Sequence, residues 1–361
     1  RRAPKANRFE PVGTDALSPA WETTVQGAVR CLDAEDGAIA LGTEAGEVAL
    51  LGVDGAKSWS HQTDGEVRTV RLTDVGGGRL LTGGRDCALT LLDEAGAARW
   101  KRDFIPSHGR DQIVNDVVTA DVTGDGKDEI LVATDGWLVW ALTQQSEEIW
   151  QRQIEHHAAQ TLVVDDVDGD GRQEILVGTE YHTSNMLEAD GAVRWTVRGG
   201  PCFTALALVD LNGDGVKESV YGAMNGEVYA VDSTSGSTLW TVNLGDDVRH
   251  GFAVGTPDGT AFVAGSESGN VALLSGEGER LWRRDLDAPV TGLALLGGGQ
   301  DVIAAGTAAG WVVLLSLEGE IVGCHQMEAG VSALTAAALD DGSAGLVVGA
   351  EDGRVVALGQ D

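Results

Sequence analysis

Cations and cysteines are scarce in this chain of 361 residues. Lys and Arg together number 25 against 56 Asp and Glu, for a formal net charge of -31. Such a field argues against a nucleic acid or an anionic membrane as partner, because either would be repelled at long range. Four cysteines, Cys31, Cys87, Cys202 and Cys324, are scattered without C-x-x-C spacing. They read as isolated thiols rather than a disulfide framework. No apolar run reaches the length of about 18 residues that a membrane-spanning helix needs. The chain opens RRAPKANRFEP without Met, so a processed or trimmed form is expected, with any export signal missing.

What is abundant is acid in a fixed pattern. DVTGDGKDE begins at Asp121, DVDGDGRQE at Asp166 and DLNGDGVKE at Asp210. Oxygen-bearing side chains recur at positions 1, 3 and 5 before a final carboxylate at position 9, with glycines letting the loop wrap tightly. The predicted ligand sets are Asp121, Thr123, Asp125 and Glu129; Asp166, Asp168, Asp170 and Glu174; Asp210, Asn212, Asp214 and Glu218. Up to three structural Ca2+ ions are expected, the first loop being weakest because Thr123 replaces a charged ligand. Loops of this kind need calcium levels found outside the cytoplasm, which points to a periplasmic or extracellular location.

The loops belong to a longer repeat marked by tryptophan. Trp21, Trp59, Trp100, Trp150, Trp195, Trp240 and Trp282 follow at intervals of 38, 41, 50, 45, 45 and 42, and an eighth position falls at Gly323. Phrases such as GEVYAVDSTSGSTLW and GNVALLSGEGERLW read as a strand, a Gly/Asp turn and a second strand ending in Trp. Two further apolar runs precede each hairpin. Four short strands per period of about 40 to 45 residues is the signature of a propeller blade. The expected fold is all-β: one domain over residues 1–361, an eight-bladed β-propeller of four-stranded antiparallel blades. Residues 1–20 lead into an N-terminal strand around Trp21 that closes the last blade beside strands from residues 344–358.

The hairpin phrase with its terminal Trp resembles the repeats of pyrroloquinoline-quinone-type (PQQ-like) propellers over nearly the whole chain. The acidic loops resemble the calcium loops of integrin-type FG-GAP repeats over blades 3 to 5. Both resemblances imply fold more than function.

With the strands of a blade labelled A to D in chain order, the acidic loops join A to B on one face. The B–C loops and D–A connections lie on the other face, around the mouth of the central channel. The seven histidines map to that second face: His108 in KRDFIPSHGRDQI, His156 and His157 in QRQIEHHAAQ, His182 in TEYHTSN, and His61, His250 and His325 near blade ends. One channel-mouth position reads Arg30, Arg68, Asn115, Gln160, Thr204, Arg249, Thr291 and Ser332, a ring of donors expected to form a well for an anion. Trp137 and Trp311 follow B–C turn glycines in blades 3 and 7, and with Tyr181 they are candidate stacking surfaces for sugar rings.

These features suggest a secreted propeller acting on an anionic, uronic-acid-containing polysaccharide as a β-eliminating lyase, and they resemble propeller-fold polysaccharide lyases in outline. Candidate catalytic residues are His108, His157, Tyr181, His182, Arg249 and His250. Candidate substrate contacts are Arg68, Arg110, Asn115, Gln160, Trp137 and Trp311. β-Elimination needs a neutralised uronate, a base and an acid. The alternative is a non-catalytic glycan-binding, adhesion or scaffold propeller, a monomer or a module of a larger protein. A quinoprotein dehydrogenase is disfavoured, since no adjacent cysteine pair is present. His156, His157, His182 and Cys202 could together supply borderline ligands for a transition metal.

Overall fold

The computed structural model describes residues 9–11, 16–155, 157–200, 203–297 and 301–360. These residues form eight four-stranded antiparallel sheets and one 3-10 turn, Val75–Gly77. Blade 1 runs Val29–Glu35, Ala38–Thr43, Glu47–Gly52 and Lys57–Gln62, from the channel outward, and blades 2 to 7 repeat that order. In blade 8 the strands Val331–Ala338, Ala344–Ala350 and Arg354–Gln360 are completed by Leu17–Thr24, with Trp21 facing Ala357. The ring is therefore closed by the N-terminal strand, as expected.

Burial follows position in the blade. In blade 3 the second and third strands, Glu129–Thr134 and Leu138–Leu142, are buried throughout, while the outermost strand, Glu148–Gln153, alternates exposed and half-buried residues. A middle strand is covered by neighbouring blades on both faces, so it reads as a continuous apolar run. His61 and His325 lie within outermost strands, in Lys57–Gln62 and Ile321–Gln326, and His250 lies within the innermost strand Val248–Thr256. All three are strand residues near blade ends, His250 being the third residue of its strand.

The tryptophans lock each blade to the next. Trp21, Trp59, Trp100, Trp150, Trp195, Trp240 and Trp282 donate their indole N–H to Val53, Glu94, Gln144, Ala189, Ser233, Gly276 and Leu317 carbonyls, at 2.6–3.0 Å. Each acceptor sits in or beside the C–D turn of the following blade. The ring lies against that turn so closely that a Cβ at Gly191, which also has φ 77°, would approach Trp150 to 2.7 Å. The missing eighth tryptophan now has a physical explanation. In blade 8 the third and fourth strands come from opposite ends of the sequence, so no C–D turn exists to receive an indole from Gly323.

A second regularity explains the polar ring at the channel mouth. In all eight inner strands the register shifts across one residue: Arg30, Arg68, Asn115, Gln160, Thr204, Arg249, Thr291 and Ser332. This is a β-bulge, which leaves the extra residue unpaired and re-aims its side chain. The apolar residue before it packs into the preceding blade; a Cβ at Gly42 would lie 2.3 Å from Val67.

Trp150→Ala should cost about 3 kcal/mol, the lower part of the range for losing a buried aromatic, because the ring is only partly buried. Gly323→Trp should give no gain. Urea unfolding midpoints measure both, and a stabilised Gly323→Trp protein would contradict the docking account.

Candidate functional site

The long connection between blades 2 and 3 is firmly held. Gln112, only 1 % exposed, donates to the Ile105 carbonyl at 2.9 Å and accepts from Thr134 Oγ1 at 2.8 Å and Trp140 Nε1 at 3.3 Å. At its tip Ser107 and Arg110 exchange two backbone hydrogen bonds of 2.9 Å around His108 and Gly109. Both tip residues have positive φ, 53° and 75°, as a two-residue type I′ hairpin requires.

This hairpin leans on blades 3 and 4. The His108 ring stacks on Trp137 at 5.2 Å, and the Arg110 guanidinium lies 5.7 Å from the same ring. Arg110 also pairs with Glu180 at 3.0 Å, and Glu180 accepts from the Ala158 amide at 3.2 Å. Next to Glu180, Tyr181 lies 4.3 Å from the His182 ring and 5.8 Å from the His157 ring. Burial holds the pKa of His157 below its ordinary value, with Glu180 and Glu155 opposing and His182 and Arg198 reinforcing. His108, Arg110, Trp137, His157, Tyr181 and His182 thus come together, whereas Arg249 and His250 sit two blades away from Tyr181 on blade 6. His156, Cys202 and the side chain of Thr204 lie outside the described residues, and with them half of the transition-metal set.

Backbone strain marks the same sector. The left-handed residue of the B–C turn is glycine in blades 1, 5, 6, 7 and 8, as Gly46, Gly226, Gly269, Gly310 and Gly353. In blades 2, 3 and 4 it is Cys87 (φ 57°), Trp137 (φ 66°) and His182 (φ 50°). A side chain in this conformation costs roughly 1 kcal/mol or more, and such outliers collect at functional sites. The alignment also separates the two rim tryptophans. Trp137 corresponds to Gly310, and Trp311 is instead the first residue of its strand.

Two expectations about the rim need correction. Trp311 is not an open stacking platform, because the Phe9 ring meets it edge-on at 5.3 Å; Trp137 is covered by His108 and Arg110. Nor does the ring of donors make an anion well. Arg30 pairs with Glu44 and Glu66 at 3.0 and 3.2 Å, and Arg249 with Asp247 and Glu267 at 2.9 and 3.0 Å. Arg68 donates to Asn115 at 2.6 Å, and Asn115 and Gln160 both donate to Asp135, at 2.6 and 3.4 Å. Glu44, Asp135, Glu180 and Glu267 join the site as the partners of these donors and are not among the residues expected there. Their signal was present, since each is the first residue after the Thr or Ser that ends the second strand (TEAG, TDGW, TEYH, SESG).

On the opposite face the acidic loops form as predicted, between first and second strands. Asp121, Asp166 and Asp210 each accept two or three backbone amides of their own loop, such as Gly213 and Gly215 on Asp210 at 2.7 and 2.9 Å. Those amides hold the Asp210 carboxyl below its usual pKa. Glu129, Glu174 and Glu218 are 6, 0 and 4 % exposed, and burial raises the pKa of all three. An all-oxygen donor set with a buried carboxylate in need of positive charge suits a hard cation. Asp166, Asp168 and Glu174 bring carboxylate oxygens within 4.8 Å of one another, and they are the one such His/Cys/Asp/Glu group among the described residues. A cavity of about 510 Å³ opens at this end of the channel, lined in part by Asp33, Arg71, Thr119 and Leu162.

Fold and repeat together define the class: the chain is an eight-bladed PQQ-like β-propeller with FG-GAP-like loops. Residues 224–360 match the family described as outer membrane protein assembly factor BamB, and residues 121–177 match the FG-GAP-like repeat. The chain is 30% identical over 89 residues to outer membrane protein assembly factor BamB of Burkholderia pseudomallei (strain K96243). That alignment spans 24% of this chain and 23% of the relative. BamB from Moraxella catarrhalis superposes with a TM-score of 0.70 at 19% identity, over 96% of this chain and 100% of that one. The computationally designed Ika8 protein gives 0.73 at 16% identity, over 92% of this chain and 96% of that one. The Dos1 propeller gives 0.73 at 14% identity, over 96% of each. At these identities the structures share the fold.

His250 makes the inner strand pH-sensitive. Burial in the channel wall, aided by Arg249 and opposed by Asp247, lowers its pKa from 6.5 to about 4. The folded state keeps the ring neutral while the unfolded chain takes up a proton below 6.5, so stability is lost as pH falls from there towards 4. The loss from this residue should be about 3 kcal/mol. His250→Gln should flatten that part of the pH–stability curve, and a variant curve parallel to the wild type would contradict the assignment.

Proposed function

We propose that this chain is a non-enzymatic docking propeller of a protein assembly in the cell envelope, outside the cytoplasm. Its calcium-bound loops stiffen one face, and the opposite rim over blades 2 to 4 meets a protein partner. The observation that carries this reading is the run of three strained B–C turns, Cys87, Trp137 and His182, where the other five blades hold glycine. Stability alone favours glycine there, so the side chains are retained for what they contact. Ile105 and Tyr181, 78 and 54 % exposed, project from this sector on loops tied together by Arg110 and Glu180. An exposed aliphatic and an exposed aromatic residue on rigid supports are suited to burial against a partner. The assembly role named for the BamB relatives is consistent with this use of the fold.

A photo-crosslinking residue at Tyr181 should capture a protein partner in native envelopes, and one at Gly124 on the opposite face should not. His182→Gly should weaken that capture while keeping the melting temperature, because it relieves φ 50°. Equal capture from both faces would sink the rim assignment.

A second reading, the uronate-specific lyase, is favoured by one observation: Tyr181 lies between two imidazoles, at 4.3 and 5.8 Å, with His157 depressed in pKa and so neutral and able to act as a base. Against it, the rim arginines face carboxylates, which reduces their power to neutralise a substrate uronate. Incubation with alginate, pectate or heparin-type glycans should generate an unsaturated-uronate absorbance if this reading holds, and Tyr181→Phe should abolish it. No absorbance with any of them would retire the lyase.

A further inference from the structure

The three acidic loops are not equivalent, and the difference lies in the outermost strand behind them. In every complete outer hairpin the residue before the tryptophan position is a β-bulge, opposite no single partner. In blade 3 it is Ile149, in blade 4 Arg194 and in blade 5 Leu239. Ile149 and Leu239 are exposed and carry no charge. Arg194 turns into its own blade's loop with its side chain only 15 % exposed. Its Nη2 lies 2.9 Å from Glu174 Oε1, its Nη1 3.3 Å from Asp168 Oδ2, and its Nε 2.6 Å from Glu188 Oε1.

Position 3 of the loop changes in step. It is Thr123 in blade 3 and Asn212 in blade 5, both neutral, but Asp168 in blade 4. The one predicted ligand set with a fourth carboxylate is thus the one with an arginine, and Arg194 binds that carboxylate. Glu174 is fully buried, and an ionised buried carboxylate needs an opposite charge beside it.

We propose that Arg194 is a built-in cation of the blade 4 loop, which competes with calcium for Asp168 and Glu174 and makes this loop the weakest calcium site of the three. The chain then has two loops that depend on calcium, in blades 3 and 5, flanking one that carries its own positive charge. Blade 4, which bears His157, Tyr181 and His182 on its other end, stays ordered when calcium is low. This inference rests on the calcium reading for its comparison of sites, and on the Arg194 geometry alone for the claim of an internal cation. It also replaces the expectation that Thr123 makes the first loop weakest.

The test uses the whole chain and calcium alone as the probe. Arg194→Leu copies the residue of blade 5, and Arg194→Leu with Asp168→Asn copies both differences. Isothermal titration of the wild type should show two ions bound and a third site weaker by roughly tenfold or more. Arg194→Leu should bring the third site up to the affinity of the other two. In chelator, Arg194→Leu should melt below the wild type and recover with millimolar calcium, while the double variant should melt closer to the wild type. Three equivalent sites in the wild type, with no tighter binding in Arg194→Leu, would overturn the proposal. If neither protein binds calcium, the calcium reading fails by itself. The melting difference in chelator then decides the rest: a drop on Arg194→Leu supports the internal cation, and no drop overturns it.

Discussion

The hydrogen bond from each tryptophan indole to a turn carbonyl of the next blade is the contact on which the ring depends. A four-stranded sheet has two apolar faces, and each must be covered by another sheet. Non-directional burial would allow the blades to slide over one another. The indole N–H supplies direction, and in six of the seven joints a glycine under the ring allows the approach that the bond needs; in the turn that receives Trp100 the left-handed residue is Ser146. Seven such contacts fix the angle between blades; the joint between blades 7 and 8 has no indole, and the ring closes because Leu17–Thr24 completes blade 8 beside Arg354–Gln360. The absence of tryptophan at Gly323 fits this account, since a ring there would have no turn to rest on.

A closed ring places the two ends of each blade on opposite faces, and the chain furnishes those faces differently. One holds the three acidic loops, of which the blade 4 loop alone has an arginine, Arg194, on its predicted ligands. The other holds cations that are already answered. Arg30, Arg110 and Arg249 each meet carboxylates supplied by the neighbouring B–C turns. With a net charge of -31, an unpaired rim arginine would stand out in the field, and the structure pairs these instead. Ile105 and Tyr181 stay exposed on the rim among acidic residues such as Asp64 and Glu328, and with the rim arginines answered this shifts the functional reading from recognition of a charged glycan to contact with a protein surface.

Much of this was legible in the chain. The tryptophan interval implied the number of blades, the lost position at Gly323 and the closing strand, because a repeat that buries the same surface each time must repeat its side chains. The metal-type loops were readable because all of their donors lie within nine residues. The polar ring was readable as a ring, and its cause, a bulge in every inner strand, was not, since register belongs to pairs of strands. The two rim tryptophans cannot be told apart in the sequence for a related reason. TDGW and AAGW look alike, yet Trp137 occupies the left-handed position of its turn and Trp311 begins its strand.

Local sequence determined which segments become strands, where they turn, and which short loops gather oxygen donors, because those properties depend on residues within one blade. Only the tertiary structure decided which charges are spent. Arg30 and Glu66, Arg110 and Glu180, and Arg194 and Glu174 are separated by 36, 70 and 20 positions and meet only when blades stack or a hairpin folds back. Coulomb energy depends on distance in space. A cation that looks free in the sequence is therefore free only if the fold brings no acid beside it.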